Sequence, residues 1–367
     1  MRWSYRIGSV FGIPLKVHLL FVVLFFYLTF SLDPELTLHV GNLILFAGIF
    51  GSVLIHELVH SFVAIRHGIK IRSITLMPIG GVAHMATQPE HPVDEIKIAI
   101  AGPLASYAVA GLMLAYAAAT GSADRLLEFS LTGGWLLSRI FWANVMLGTV
   151  NLVPAFPMDG GRVLRGFLAT RKGMMKATED AVLVGQAFAV VLYFIGARYE
   201  QLRLLIVIAV FIYIGADQEE EDVEFRTEIA DAPARDAMLT RFDSLSPDMT
   251  IADSLDVLRH SSQDFFPVLR DDKLEGMVSK NGVLNALKDM PREAVIGEIM
   301  QTDLITAAPD EPMGGVFRKM ELHDKDVIPV VDGGRVAGLA SFDQIGRYYA
   351  LASKAKGRSS RQTTVDS

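Results

Sequence analysis

His56 and His60 stand four residues apart in the string HELVH (56–60), with Glu57 directly after the first. In a helix that spacing sets both imidazoles on one face, with the carboxylate close enough to reach a water held between them. Two neutral imidazole nitrogens are good zinc ligands, and a neighbouring carboxylate is a ready general base, so the chemistry indicated is metal-assisted hydrolysis. The string lies in the apolar stretch 41–65. Ionisable groups in such a setting are costly unless they pair, ligate or face water, which makes them functional candidates.

A catalytic zinc needs three protein ligands and an open position. The chain has no cysteine, so thiolate ligands, disulfides, iron–sulfur clusters and thiol nucleophiles are excluded, and the third ligand must be His, Asp or Glu. Asp159 is the candidate. It stands in NLVPAFPMDGGR (151–162), where Pro154 and Pro157 break an apolar stretch and Gly160-Gly161 permits tight turns. Irregular backbone at membrane depth is tolerated against protein or a wet cavity, so a Pro-broken segment with one carboxylate suits the wall of a site.

The elements that must position these groups are mostly membrane helices. Of 367 residues 51% are hydrophobic, and they fall in blocks at 14–32, 41–65, 94–119, 135–154, 181–197 and 203–217, which predicts about six transmembrane helices. No small-residue cleavage site follows the first block, so it reads as retained. Lys and Arg concentrate before span one, after span two and after span four, which predicts a multi-pass protein of the cell membrane with both termini cytoplasmic. A net charge of −7 argues against nucleic acid as a partner.

The composition changes at DQEEEDVEF (217–225), read as a solvated acidic linker. Beyond it, 236–287 and 298–349 are related passages, each a short strand, a helix, a β-hairpin and a second helix. The expected organisation is a membrane domain at 1–216, a linker at 217–234, two repeats at 235–290 and 291–352, and a disordered tail at 353–367. The fold class is thus membrane α-helical followed by a soluble α/β tandem module.

HELVH inside a membrane helix, followed about a hundred residues later by N-x-x-P-x-x-P-x-D-G-G, resembles the site-2 proteases (peptidase family M50), intramembrane zinc metalloproteases. The repeats resemble a tandem CBS pair. The first resemblance implies one Zn2+ per chain held by His56, His60 and Asp159, with Glu57 as general base, acting on membrane-embedded protein substrates within the lipid bilayer. It also implies that Gly80 and Gly81, in PIGGVAHM (78–85), lie in a segment that approaches the site, and that Asn144 and Asn151 position substrate backbone or the oxyanion, the alternative being helix-packing amides. His84 shares that segment, and Ser106 stands where the family often has Asn, with no role assigned. The CBS resemblance implies an adenine nucleotide near Ser279, Ser341 and Asp343, although the expected Asp of the signature is Gly282 in one repeat and Gln344 in the other. It also implies a homodimer through the CBS pair. The alternative function is a CBS-regulated ion transporter or channel whose path the same four residues would line.

Overall fold

The computed structural model describes residues 3–23, 36–77, 80–89, 91–129 and 134–363. It divides into two units between Val223 and Glu224.

The first unit opens with a small sheet. Strands β1 (Ser4–Val10) and β2 (Ile13–His18) form a hairpin whose two turn residues, Phe11 and Gly12, take positive φ (50° and 81°), the geometry that matches strand twist. β2 runs parallel to β3 (Ile71–Met77), which pairs antiparallel with β4 (Gly80–Met85), giving the order β1-β2-β3-β4. Period-two alternation turns Ile13 and Leu15 inward, where they join Ile71, Ile74 and Ala64 in one core cluster with Leu58 packed against it. The sheet therefore covers the half of α1 (Leu36–Arg66) that carries HELVH.

Six more helices follow in this unit: α2 (Pro92–Ala119), α3 (Ala123–Leu127), α4 (Leu136–Asn151), α5 (Asp159–Lys172), α6 (Met174–Arg198) and α7 (Leu204–Ile229), the last running on past Val223. Pro92 at the first turn of α2 and Gly173 (φ 80°) between α5 and α6 mark helix boundaries in the usual chemical way.

The expectation of about six spans is not met among the described residues, where three helices have the length and apolar character to cross a bilayer: 40–66, 92–119 and 174–198. The first apolar stretch begins as strand β2 instead of helix; residues 19–23 are helical, and most of its remainder lies outside the described residues. α4 has 16 residues, stopped short of Pro154, and the apolar start of α7 gives way to acid. That acidic run is not an irregular linker: it is helical throughout, because Val223 is buried and Glu219 is paired with Arg165 on one side of α7. Of the tail expected at 353–367, residues 353–363 are helical as part of α11 (Phe342–Thr363), and 364–367 lie outside the described residues.

The second unit is the tandem repeat. α8 (Ile251–His260), β5 (Phe265–Arg270), β6 (Lys273–Ser279) and α9 (Lys280–Asp289) are echoed by α10 (Met313–His323), β7 (Val327–Asp332), β8 (Arg335–Ser341) and α11. The two hairpins are superposable in burial, with a register irregularity at the same place, after Val268 and after Val330. Each repeat lends its entry segment to the other: Leu239 bridges to Leu339, and Gln301 to Met277. Gly276 and Gly338 are strand glycines because the crossing segments press on them; a Cβ would stand 2.8 Å from Met300 Cγ in one and 2.8 Å from Met238 Cγ in the other.

Candidate metal centre

Apolar length drives α1 into helical form, and its 3.6-residue period then stacks Ser52, His56 and His60 along one face. Asp159 arrives from the other side of the site as the first residue of α5, where the helix dipole favours a carboxylate. Its approach depends on close packing: a Cβ on Gly161 would stand 2.7 Å from Phe156 N, and one on Gly160 would overlap the carbonyls of Leu152 and Val153.

Asp159 Oδ2 lies 3.3 Å from His56 Nε2 and 3.1 Å from His60 Nε2, and the three ligand atoms fall within 4.8 Å of one another. A four-coordinate zinc with bonds of about 2.0–2.1 Å places its ligand atoms about 3.3 Å apart. The donor set itself calls for a cation. His60 Nδ1 is 2.6 Å from the carbonyl of Ile98, which can only accept, so a proton is on Nδ1, and in the neutral ring the Nε2 lone pair faces the carboxylate. Two acceptors at 3.1 Å repel unless a proton or metal ion lies between them.

α2 closes the site. Pro103 interrupts its hydrogen-bond ladder, Ile98 offers its carbonyl to His60, and Ser106 Oγ is 2.9 Å from His56 Nδ1. With Nε2 free as a ligand, His56 Nδ1–H donates to Ser106. Gly102 is packed so tightly against the imidazoles that a Cβ would stand 2.6 Å from His56 Nε2 and overlap His60 Nε2. Glu57 faces the sheet, its Oε1 3.3 Å from where a Cβ on Gly81 would be.

Ser106 and Gly102 contact the imidazoles, which their types alone did not reveal. The available signal was their i, i+4 spacing on either side of a helix proline, a small-residue face with one hydroxyl. Replacing the hydroxyl by Ser106→Ala should weaken metal binding about 10–100-fold without changing the ligand set, the usual cost of losing a partner that orients a ligating imidazole. A competition titration with a chelating indicator would measure it.

Asn144 is fully buried, and its two amide hydrogens go to Ser52 Oγ (2.8 Å) and the carbonyl of Ile140 (2.9 Å), so it ties α4 to α1, while its Oδ1 has no partner among the described residues. Asn151 donates to the carbonyl of Leu147 and retains a second amide hydrogen. Gly80 and Gly81 sit in β4 opposite Met77 and Leu76. His84 lies apart from the metal group, 3.1 Å from Thr75 Oγ1 on β3. In the second unit Ser279 and Ser341 cap α9 and α11, accepting from Gly282 N (3.0 Å) and Gln344 N (3.2 Å), while exposed Asp343 pairs with Arg347.

Residues 44–132 and 130–194 match peptidase family M50, and residues 234–289 and 296–350 match the CBS domain. The zinc metalloprotease MJ0392 of Methanocaldococcus jannaschii is 33% identical over 351 residues, 96% of this chain and 97% of that protein. The chain belongs to peptidase family M50. A solved site-2 protease from Methanocaldococcus jannaschii is 36% identical, covering 59% of this chain and 95% of its own, with a TM-score of 0.45. As an M50 member carrying a CBS pair, the protein is a zinc metalloprotease of the site-2 type, which sets aside the transporter reading. Its substrates are proteins, and its family is membrane-embedded.

Proposed function

We propose that this M50 protease hydrolyses peptide bonds within or near transmembrane segments, using one zinc held by His56, His60 and Asp159, under the influence of its CBS pair. The observation that carries the reading is the convergence of Asp159 Oδ2 on the two His Nε2 atoms at 3.1–3.3 Å inside an apolar helical unit. Lewis acidity is the chemistry zinc supplies in such a site, making water nucleophilic at neutral pH and polarising a carbonyl. Ser106 and the carbonyl of Ile98 hold the two imidazoles with Nε2 turned inward. The Glu57 carboxylate takes the proton of the attacking water and passes it to the leaving amine.

A transmembrane helix hides its carbonyls in i to i−4 hydrogen bonds, so a substrate must unwind before hydrolysis. β4 is the end strand of its sheet, and Gly81 within it lies against Glu57. An unwound segment added to that edge has its backbone bonded by the strand and delivered beside the base, which is the role proposed for Gly80 and Gly81. The free amide hydrogen of Asn151 is then the candidate for contact with substrate. The Lys and Arg distribution supports a multi-pass topology with both termini cytoplasmic. In the CBS pair the hydroxyls of Ser279 and Ser341 still have a proton to donate, and with Asp343 they are the residues proposed to meet an adenine nucleotide; the pair is also the proposed homodimer contact.

Zinc per chain, measured by elemental analysis on detergent-purified protein, tests the centre without knowledge of the substrate. About one zinc is expected in wild type, with affinity at least 100-fold weaker in His56→Ala and in Asp159→Ala. A folded wild type that binds no zinc when supplied with it would sink the assignment.

A further inference from the structure

Helix α7 meets the segment leading to Asp159 along one face. Gly215, Ala216, Glu219 and Asp222 fall at i, i+1, i+4 and i+7. Gly215 lies against the ring of Pro157, so closely that a Cβ would stand 2.6 Å from its Cδ. Ala216 is buried in one cluster with Phe156. Glu219 Oε1 accepts from Arg165 Nη1 at 2.7 Å, and Asp222 Oδ2 accepts from Gln88 Nε2 at 2.7 Å, three residues beyond β4. Phe156 and Pro157 run directly into Asp159, and Arg165 lies on the helix that Asp159 begins.

Arg165 is the knot of this arrangement. Its Nε donates to Glu95 Oε1 on α2 at 2.9 Å, its Nη2 donates to the same oxygen, and its guanidinium lies 5.0 Å above the Phe156 ring. Arg165 and Glu95 are both buried, and Glu95 Oε2 has no hydrogen-bond partner among the described residues. A desolvated cluster of this kind has well-defined arrangements and tolerates displacement poorly. The same helix then runs on to Phe225, which meets Phe317 and Tyr349 edge-on, and to Ile229, which is buried in the core of the second repeat.

We propose that Arg165 and Glu219 are positioning residues for Asp159. The face formed by Gly215, Ala216, Glu219 and Asp222 holds the Phe156–Asp159 segment, so a loss of contact along it displaces the third ligand and alters metal affinity. The inference rests on the reading of Asp159 as a metal ligand.

The test is a cobalt titration of the detergent-purified full chain, read from the visible absorption that reports cobalt's ligand geometry. Glu219→Ala is expected to weaken cobalt binding at least tenfold and to alter the band, whereas Glu219→Gln, which keeps an acceptor oxygen, stays within about threefold of wild type. Glu221→Ala removes the same charge from an exposed position of the same run and should match wild type. Arg165→Lys keeps the charge facing Glu95 but loses the fork to Glu219, and should weaken binding about fivefold; it decides the matter if Glu219→Ala does not fold. Wild-type affinity in Glu219→Ala, or in Arg165→Lys, overturns the positioning role alone. A wild type that binds no cobalt overturns the ligand reading of Asp159 together with it.

Discussion

Glu57→Gln is expected to lower kcat about 10²–10⁴-fold while zinc per chain stays at the wild-type value. The amide has the shape of the carboxylate, so it fits the space against Gly81, but it cannot take a proton from water. Glu57 stands outside the group of three ligand atoms, which is why metal and activity should separate. Cleavage of a membrane-inserted peptide that wild type cuts, run beside elemental analysis of the same preparation, measures both quantities. Retained activity would remove Glu57 from the mechanism, and joint loss of zinc and activity would make it a structural support of the site.

Gly102→Ala should abolish activity by a different route, through the metal. By propensity alone alanine in a helix interior is about 1 kcal/mol better than glycine, so the helix itself is not harmed. The added Cβ, however, would stand 2.6 Å from His56 Nε2 and closer still to His60 Nε2, and the ring must turn away or α2 must retreat. Either response breaks the orientation given by Ile98 and Ser106 to both imidazoles at once. Zinc affinity should fall about 10³-fold, which is about 4 kcal/mol, with helical content unchanged by circular dichroism. Zinc binding equal to wild type would mean that α2 does not press on the centre as described.

The candidate site residues were legible because chemistry constrains their types. Few combinations besides HELVH with a later carboxylate satisfy a three-ligand metal and a base, and a charge inside an apolar stretch is conspicuous. Membrane helices were less legible. Residues 14–18 belong to an apolar block that reads as helix, yet they pair with Ile71–Met77 as β2, since a short apolar run is compatible with either period. The run 217–225 looked like a solvated linker because a one-dimensional reading cannot see Arg165 waiting for Glu219. Asn144 looked available because its partner Ser52 is assigned only when α4 packs on α1.

By itself the sequence determined the reaction class, the two-part organisation and the repeat, because ligand type, hydropathy and periodicity are local properties of the chain. Only the tertiary structure decided which groups orient the imidazoles, that β4 borders Glu57, and that α7 holds the segment ahead of Asp159. Those relations depend on contacts between residues 24 to 134 positions apart, such as Glu57 with Gly81, Arg165 with Glu95 and Gln88 with Asp222, and no local pattern encodes them.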